Sequence, residues 1–392
     1  MDWGAFFDGL ANSEFITKVL APLVGFVTVT GVIIAIIKFF LKKIKELERA
    51  KWELENQLST INSEKDLIEN TIEQSDEVIT KYHRARKIAR GEELSLWGRP
   101  PGNRLPDYDE RLRESIPIML FANLKGGVAK TTLSANIAAY FAKQRNERVL
   151  VIDLDYQGSL SGLCLSQGQY VDFPSLADQL IDGSIEGAAA VNLARTVGPA
   201  APTLEFIPAF YPLETTEFQI MFKWFLDDTD TDVRYNLASV LLSDEIQAKY
   251  DRIILDGPPR MTPALINALC ASTHLFIPTV LDNLSAETVG SFAGKINRMR
   301  GAVIPRLNVA GIIGTMVPST TLSNAAAAAA DVAERRAREA LGGHDYFMEN
   351  AFLRRNQNIA NTTDEGIAYL RQAGIQDLFD PIGAEIARRT EL

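Results

Sequence analysis

Two lysines, Lys125 and Lys130, bracket Gly126, Gly127, Val128 and Ala129, and Thr131 and Thr132 follow directly. These residue types suit a polyphosphate. A glycine-rich turn points backbone N–H groups inward, Lys130 can reach the β- and γ-phosphates, and the Thr131 hydroxyl can coordinate Mg²⁺. Thr132 adds a hydrogen bond near the α-phosphate. One such loop needs only one lysine, so the Lys125 ammonium must be solvated or serve another phosphate. Downstream, Asp153 and Asp155 stand at alternate positions where an apolar run ends, which points both the same way. A third acid, Asp256, closes the run Ile253–Leu255 ahead of Gly257, Pro258 and Pro259. A hydrophobic strand that ends in an acid is a weak signal by itself.

The elements that must hold these groups follow from the apolar pattern. Ile116–Ala122 forms a buried strand, and Thr131–Lys143 a helix with Leu133, Ile137 and Phe141 on one face. Further strands are expected at 149–152, 203–208, 275–278 and 308–316, with helices at 265–274 and 321–341. Alanines 325–330 favour the last helix. Strands alternating with helices define an α/β class: a doubly wound, mostly parallel sheet with the phosphate loop and the acids at the carboxyl ends of its strands. The stretch 160–212 gives no further assignable motif.

The three segments together resemble the deviant Walker A ATPases related to ParA and MinD. That family's signatures are KGGxxKTT, DxDPQG and FDxIIIDxPP. Here they stand as Lys125–Thr132, as Asp153-Leu154-Asp155-Tyr156-Gln157-Gly158, and as Tyr250–Pro259. Two positions depart from the pattern: Ala129 replaces the usual glycine and Tyr156 replaces a proline. The resemblance covers about Ile116 to about Ala373. It implies a P-loop NTPase domain that binds ATP and Mg²⁺. Lys125 is implied to cross a dimer interface to the partner's nucleotide, and Asp155 to position or activate the attacking water. Asp153 is implied to lie close to the metal shell, and Met316, Val317 and Pro318 to border the adenine. The catalytic set is then Asp155, Lys125 and Lys130, and the metal set Thr131, Asp153 and Asp256.

The N-terminal part differs in character. Val19–Ile37 holds no charged residue and, continued to Leu41, is long enough for a hydrocarbon core of about 30 Å. Lys42, Lys43 and Lys45 follow it, which predicts an inner-membrane, single-pass protein with its N-terminus outside and the ATPase domain cytoplasmic. From Ile44 to about Ile88, Leu47, Leu54, Ile61 and Ile68 recur at heptad spacing and predict a coiled coil. The expected domains are 1–41 with the transmembrane helix at 19–41, a coiled-coil helix at 42–97, a linker at 98–114 with Pro100, Pro101 and Pro106, and the ATPase domain at 115–392. Composition agrees with an α/β domain and bears on partners. The formal net charge is −10, and residues 115–392 carry 23 basic and 31 acidic side chains. DNA binding is therefore not favoured, although Arg335, Arg336, Arg338, Arg354 and Arg355 could form a local patch. Cys164 and Cys270 are isolated, which fits a reducing compartment, and His83, His274 and His344 suggest no metal cluster.

These expectations combine into a membrane-anchored, ATP-dependent dimerisation switch. It pairs with itself through an ATP sandwich and the coiled coil, and it acts on an unidentified protein partner. A bacterial-type tyrosine kinase is a second reading, weakened because the last tyrosine is Tyr369. A non-hydrolysing, ATP-binding scaffold or effector subunit of a membrane defence or signalling complex is a third.

Overall fold

The computed structural model describes residues 36–47, 49, 78–80, 82, 83, 86, 97, 101, 105–168, 174–226, 231–343, 345–356, 359, 366–371 and 373–391. The chain divides into two compact units. One is Met1–Leu94 with Phe225–Asp227, and the other is Ser95–Trp224 with Asp228–Leu392.

In the first unit residues 36–47 are helical, and Phe40 is buried with its ring edge-on to Tyr82 at 5.9 Å. Lys38, Lys42, Lys43, Lys45 and Glu46 interrupt this helix, so it is not an apolar rod. Among the described residues no helix is long and apolar enough to cross a membrane. This corrects the expected single-pass inner-membrane placement. Residues 19–35 of the expected span, and most of the coiled coil expected over 42–97, lie outside the described residues.

The second unit is built on a seven-stranded sheet: β1 Ile118–Phe121, β2 Val149–Asp153, β3 Arg195–Gly198, β4 Ala201–Ile207, β5 Arg252–Asp256, β6 His274–Val280 and β7 Asn308–Thr315. Its order is β3-β4-β2-β5-β1-β6-β7, and every neighbouring pair is parallel except the β3–β4 hairpin at one edge. Strands β1, β2 and β5 are buried at every position, as a parallel sheet covered on both faces demands.

The helices used below are α1 Tyr108–Glu114, α2 Lys130–Gln144, α3 Ser159–Gly168, α4 Pro212–Leu226, α5 Pro263–Ala271, α6 Asn283–Arg300, α7 Asn324–Leu341 and α8 Ala373–Thr390. On one face Leu133, Ile137 and Phe141 of α2 and Phe379, Ile382 and Ile386 of α8 share a core with Met119, Phe121, Val151 and Ile254. On the other, Leu265 and Leu269 of α5 and Val289, Phe292 and Ile296 of α6 meet Leu120, Ile152 and Leu255. Alternate residues of the same strands serve opposite cores, which is what makes the sheet doubly wound.

Several boundaries differ from the sequence expectation. α5 begins earlier because Thr262 caps it and Pro263 takes its first turn. It ends at Ala271, where Ser272 becomes extended, so His274 belongs to β6. Residues 108–114, expected as linker, form α1. Tyr108 and Leu112 stand one helical turn apart and are both buried, and the Tyr108 ring lies edge-on to Tyr235 at 4.9 Å. The nearby prolines conceal this short helix in the sequence.

Candidate functional site

The loop between β1 and α2 turns through two left-handed residues, Gly127 at φ +72° and Ala129 at φ +64°. Gly127 takes that conformation without strain, whereas Ala129 takes it at a steric cost of about 1–2 kcal/mol. The turn delivers the chain into the N-terminus of α2, where free N–H groups and the helix dipole favour an anion. Lys130, the first residue of α2, is largely buried, and its Nζ donates to the Lys125 carbonyl at 3.2 Å. Burial pushes its pKa down, while the charges of Asp256 and Asp155 oppose that fall. A bound phosphate would hold the ammonium charged in the same way.

Behind the loop, parallel pairing sets Asp153 of β2 directly beside Asp256 of β5. Asp256 accepts from the Thr131 hydroxyl at 2.7 Å and the Ser134 hydroxyl at 2.9 Å. Asp153 accepts from Ser161 N and Oγ at 2.9 and 2.7 Å and from the Asp155 N–H at 3.0 Å. Both carboxyls are pushed well up: Asp153 by burial and then by the charge of Asp256, Asp256 by burial, against the hydrogen bonds of Thr131 and Ser134. Two buried acids that resist ionising side by side fit a divalent cation nearby, which would let both carry charge. Among the described residues no group of three or more His, Cys, Asp or Glu could enclose a metal. Thr131, and Asp153 and Asp256 behind it, are the residues that would hold Mg²⁺ here. When bound, Mg²⁺ neutralises charge on the phosphates.

In front lies an open cleft of about 660 Å³ lined by Gly126–Thr132, Asp155, Gln157, Gly158, Pro259 and Met316, among others. Asp155 is half-buried, and its carboxylate accepts from the Gln157 N–H at 3.1 Å. Of the three base-pocket candidates Met316 reaches the cleft. Val317 is buried and pairs through its backbone with Leu353 and Arg355, and neither it nor Pro318 lines the wall. Asp153 and Asp256 likewise stand behind the loop rather than in the cleft wall.

Lys125 is arranged differently from Lys130. Its Nζ donates to Ser285 Oγ at 2.5 Å and lies 3.9 Å from Asp282, the residue that caps α6. Its backbone is steadied by Asn123, which in turn donates to the Pro278 carbonyl at 2.7 Å. Ser134, Ser161, Asp282, Ser285 and Asn123 all shape the site and were not singled out in the sequence. Each is a common residue whose partner lies on another element, and only Ser134, one turn after Lys130 on the expected helix, carried any spacing signal.

A glycine loop entering a helix at the carboxyl edge of a parallel sheet, backed by paired acids and a threonine, defines a phosphate-loop NTPase whose residues fit a nucleoside triphosphate and Mg²⁺. The family described as AAA domain matches residues 116–309. The chromosome-partitioning ATPase Soj of Thermus thermophilus is 29% identical over 213 residues, covering 54% of this chain and 74% of its own. The chromosome partitioning protein ParA of Caulobacter vibrioides is 30% identical over 200 residues, covering 51% and 69%. Among solved structures, the ATP complex of McdA from Cyanothece shares the fold, with TM-score 0.57 at 17% identity over 71% of this chain and 97% of that one. The chain belongs to the ParA family of ATPases.

Proposed function

We propose that this ATPase is a nucleotide-gated dimerisation switch that positions a partner complex, in the manner that the partitioning role of its relatives suggests. Two copies close over ATP and Mg²⁺. Lys130 and Thr131 hold the phosphates and metal of their own subunit, and Lys125 reaches the nucleotide of the other. Asp155 orients a water whose oxygen bonds to the γ-phosphorus as the bond to the bridging oxygen breaks. ADP leaves with that electron pair, the water's proton passes to the released phosphate, and the pair of subunits opens.

The observation that carries this reading is the separation of the two lysines. Lys130 sits in the anion-binding turn, while Lys125 points to the start of α6 and contacts no group of its own phosphate loop through its ammonium. A close, desolvated contact with a second nucleotide is worth several times an exposed ion pair. DNA stays outside this reading, because Arg335, Arg336 and Arg338 of α7 are each paired with a glutamate. The test is sedimentation of the protein with ATP and Mg²⁺. Lys125→Ala is expected to bind ATP yet remain monomeric and fail to hydrolyse it. An ATP-dependent dimer at wild-type concentration would remove the cross-interface role.

A further inference from the structure

Tyr156, which stands where the family pattern has proline, takes no part in the chemistry described so far. It follows Asp155 directly, and its ring is half-buried against the core. Its hydroxyl accepts a hydrogen bond from Arg260 Nη2 at 2.8 Å, and the Arg260 guanidinium also lies 5.5 Å from the ring centroid. The ring also meets Tyr211 at 6.1 Å. Gly158, in the same segment, packs so tightly that a Cβ there would come within 2.6 Å of Phe210. Arg260 in turn follows Pro259, which lines the nucleotide cleft together with Asp155. Its loop is tied down at the far end, where Glu217 of α4 accepts the Ala264 N–H at 3.0 Å. Tyr156 therefore touches the segments that follow β4 and β5 while being covalently next to Asp155. Neither Tyr156 nor Arg260 lines the cleft.

We propose that Tyr156 and Arg260 form a positioning pair that joins the Asp155 loop to the Pro258–Pro259 loop, so that the two walls beside the γ-phosphate hold one geometry. The proposal rests on the reading of Asp155 as the residue that orients water. A proline restricts its own φ and stiffens a loop from within. Tyr156 fixes the same loop from outside, through a bond to its neighbour. An exposed Arg–Tyr contact adds little to global stability, so its consequence falls on local geometry. Misplacing a water-orienting carboxylate slows the chemical step while leaving substrate binding in place.

Steady-state hydrolysis of Mg–ATP by the full chain tests this, using Tyr156→Phe, Arg260→Ala, Arg260→Lys, the Phe/Ala double variant and Asp155→Ala. Each of the first two is expected to lower kcat about three- to tenfold, with KM within about twofold of wild type. The double variant should be no slower than the worse single one, because both changes break one contact. Arg260→Lys, which can still donate to the hydroxyl, should recover part of the rate. Wild-type kcat in either single variant would overturn the pair, as would losses that multiply in the double variant. A rise in KM accompanied by a fall in melting temperature would also overturn it, by showing a structural role alone. Asp155→Ala separates the two levels. If it hydrolyses ATP at the wild-type rate, the reading of Asp155 fails whatever the pair does. If it is inactive while Tyr156→Phe and Arg260→Ala are normal, only the pair fails.

Discussion

Arg234 shows how one residue can matter without touching the site. It is fully buried, pairs with Asp232 at 2.5 Å, donates to the Trp97 carbonyl at 2.7 Å and lies 4.6 Å from the Trp224 ring. Trp97 and Trp224 stack on each other at 6.2 Å. Truncating one member of a buried pair leaves the other charge unpaired in a medium that cannot solvate it. Arg234→Ala is expected to destabilise the protein by about 3–5 kcal/mol, measured by urea denaturation, whereas conserving the volume with methionine while changing Asp232→Asn should cost less. At this scale Lys125, Lys130, Thr131, Asp155 and Asp256 were legible in the sequence because they sit at fixed offsets within short motifs. Arg260 and Ser285 were not, because their partners, Tyr156 and Lys125, are 104 and 160 residues away.

Helix α8 packs against α2, and a glycine of α8 faces Tyr140 of α2. A Cβ on Gly383 would come within 2.4 Å of the Tyr140 ring, which is itself held edge-on by Phe141 and Tyr369. Alanine gains about 1 kcal/mol of helix propensity over glycine, but overpacking a fixed ring costs about 1–3 kcal/mol. The clash wins: Gly383→Ala is expected to lower stability by up to about 2 kcal/mol, read as a shift in denaturation midpoint with unchanged slope. The same helix is anchored a second time near its end. Arg389 of α8 donates to the carbonyls of Ala310 and Asp345, tying the helix to β7 and the chain beyond. Elements with long apolar runs, such as β1, β2 and β5, were readable. The antiparallel β3 was not, since its four residues carry only one buried apolar side chain, Val197.

For the molecule as a whole, one contribution to stability that acid removes lies in the same helix. Arg388, and then Arg389, hydrogen-bond to Glu385 and hold its carboxyl down to about 2, against an ordinary value of 4.5. A carboxyl with a lowered folded-state pKa contributes stability above its unfolded value and loses it as pH falls toward the folded one. Glu385→Gln should therefore melt below wild type at pH 7, and the gap should close between pH 4.5 and 2. A gap that stays constant over that interval would assign the difference to packing instead of charge. Nearby salt bridges at Arg338–Glu334 and Arg336–Glu287 lie on the surface and are expected to add little.

The sequence by itself determined the α/β class, the phosphate loop, the order of its three motifs and the ATPase family, because each depends on neighbours within a few residues. The expected membrane placement rested on the uncharged run 19–37 and the lysines after it, and no described helix is long and apolar enough to make that crossing. Tertiary structure decided what apolar pattern cannot encode. It set Asp153 beside Asp256 across β2 and β5, sent the Lys125 ammonium to the start of α6, and brought Arg260 onto Tyr156. Those contacts join groups far apart along the chain, and only the order of strands in the sheet makes them neighbours.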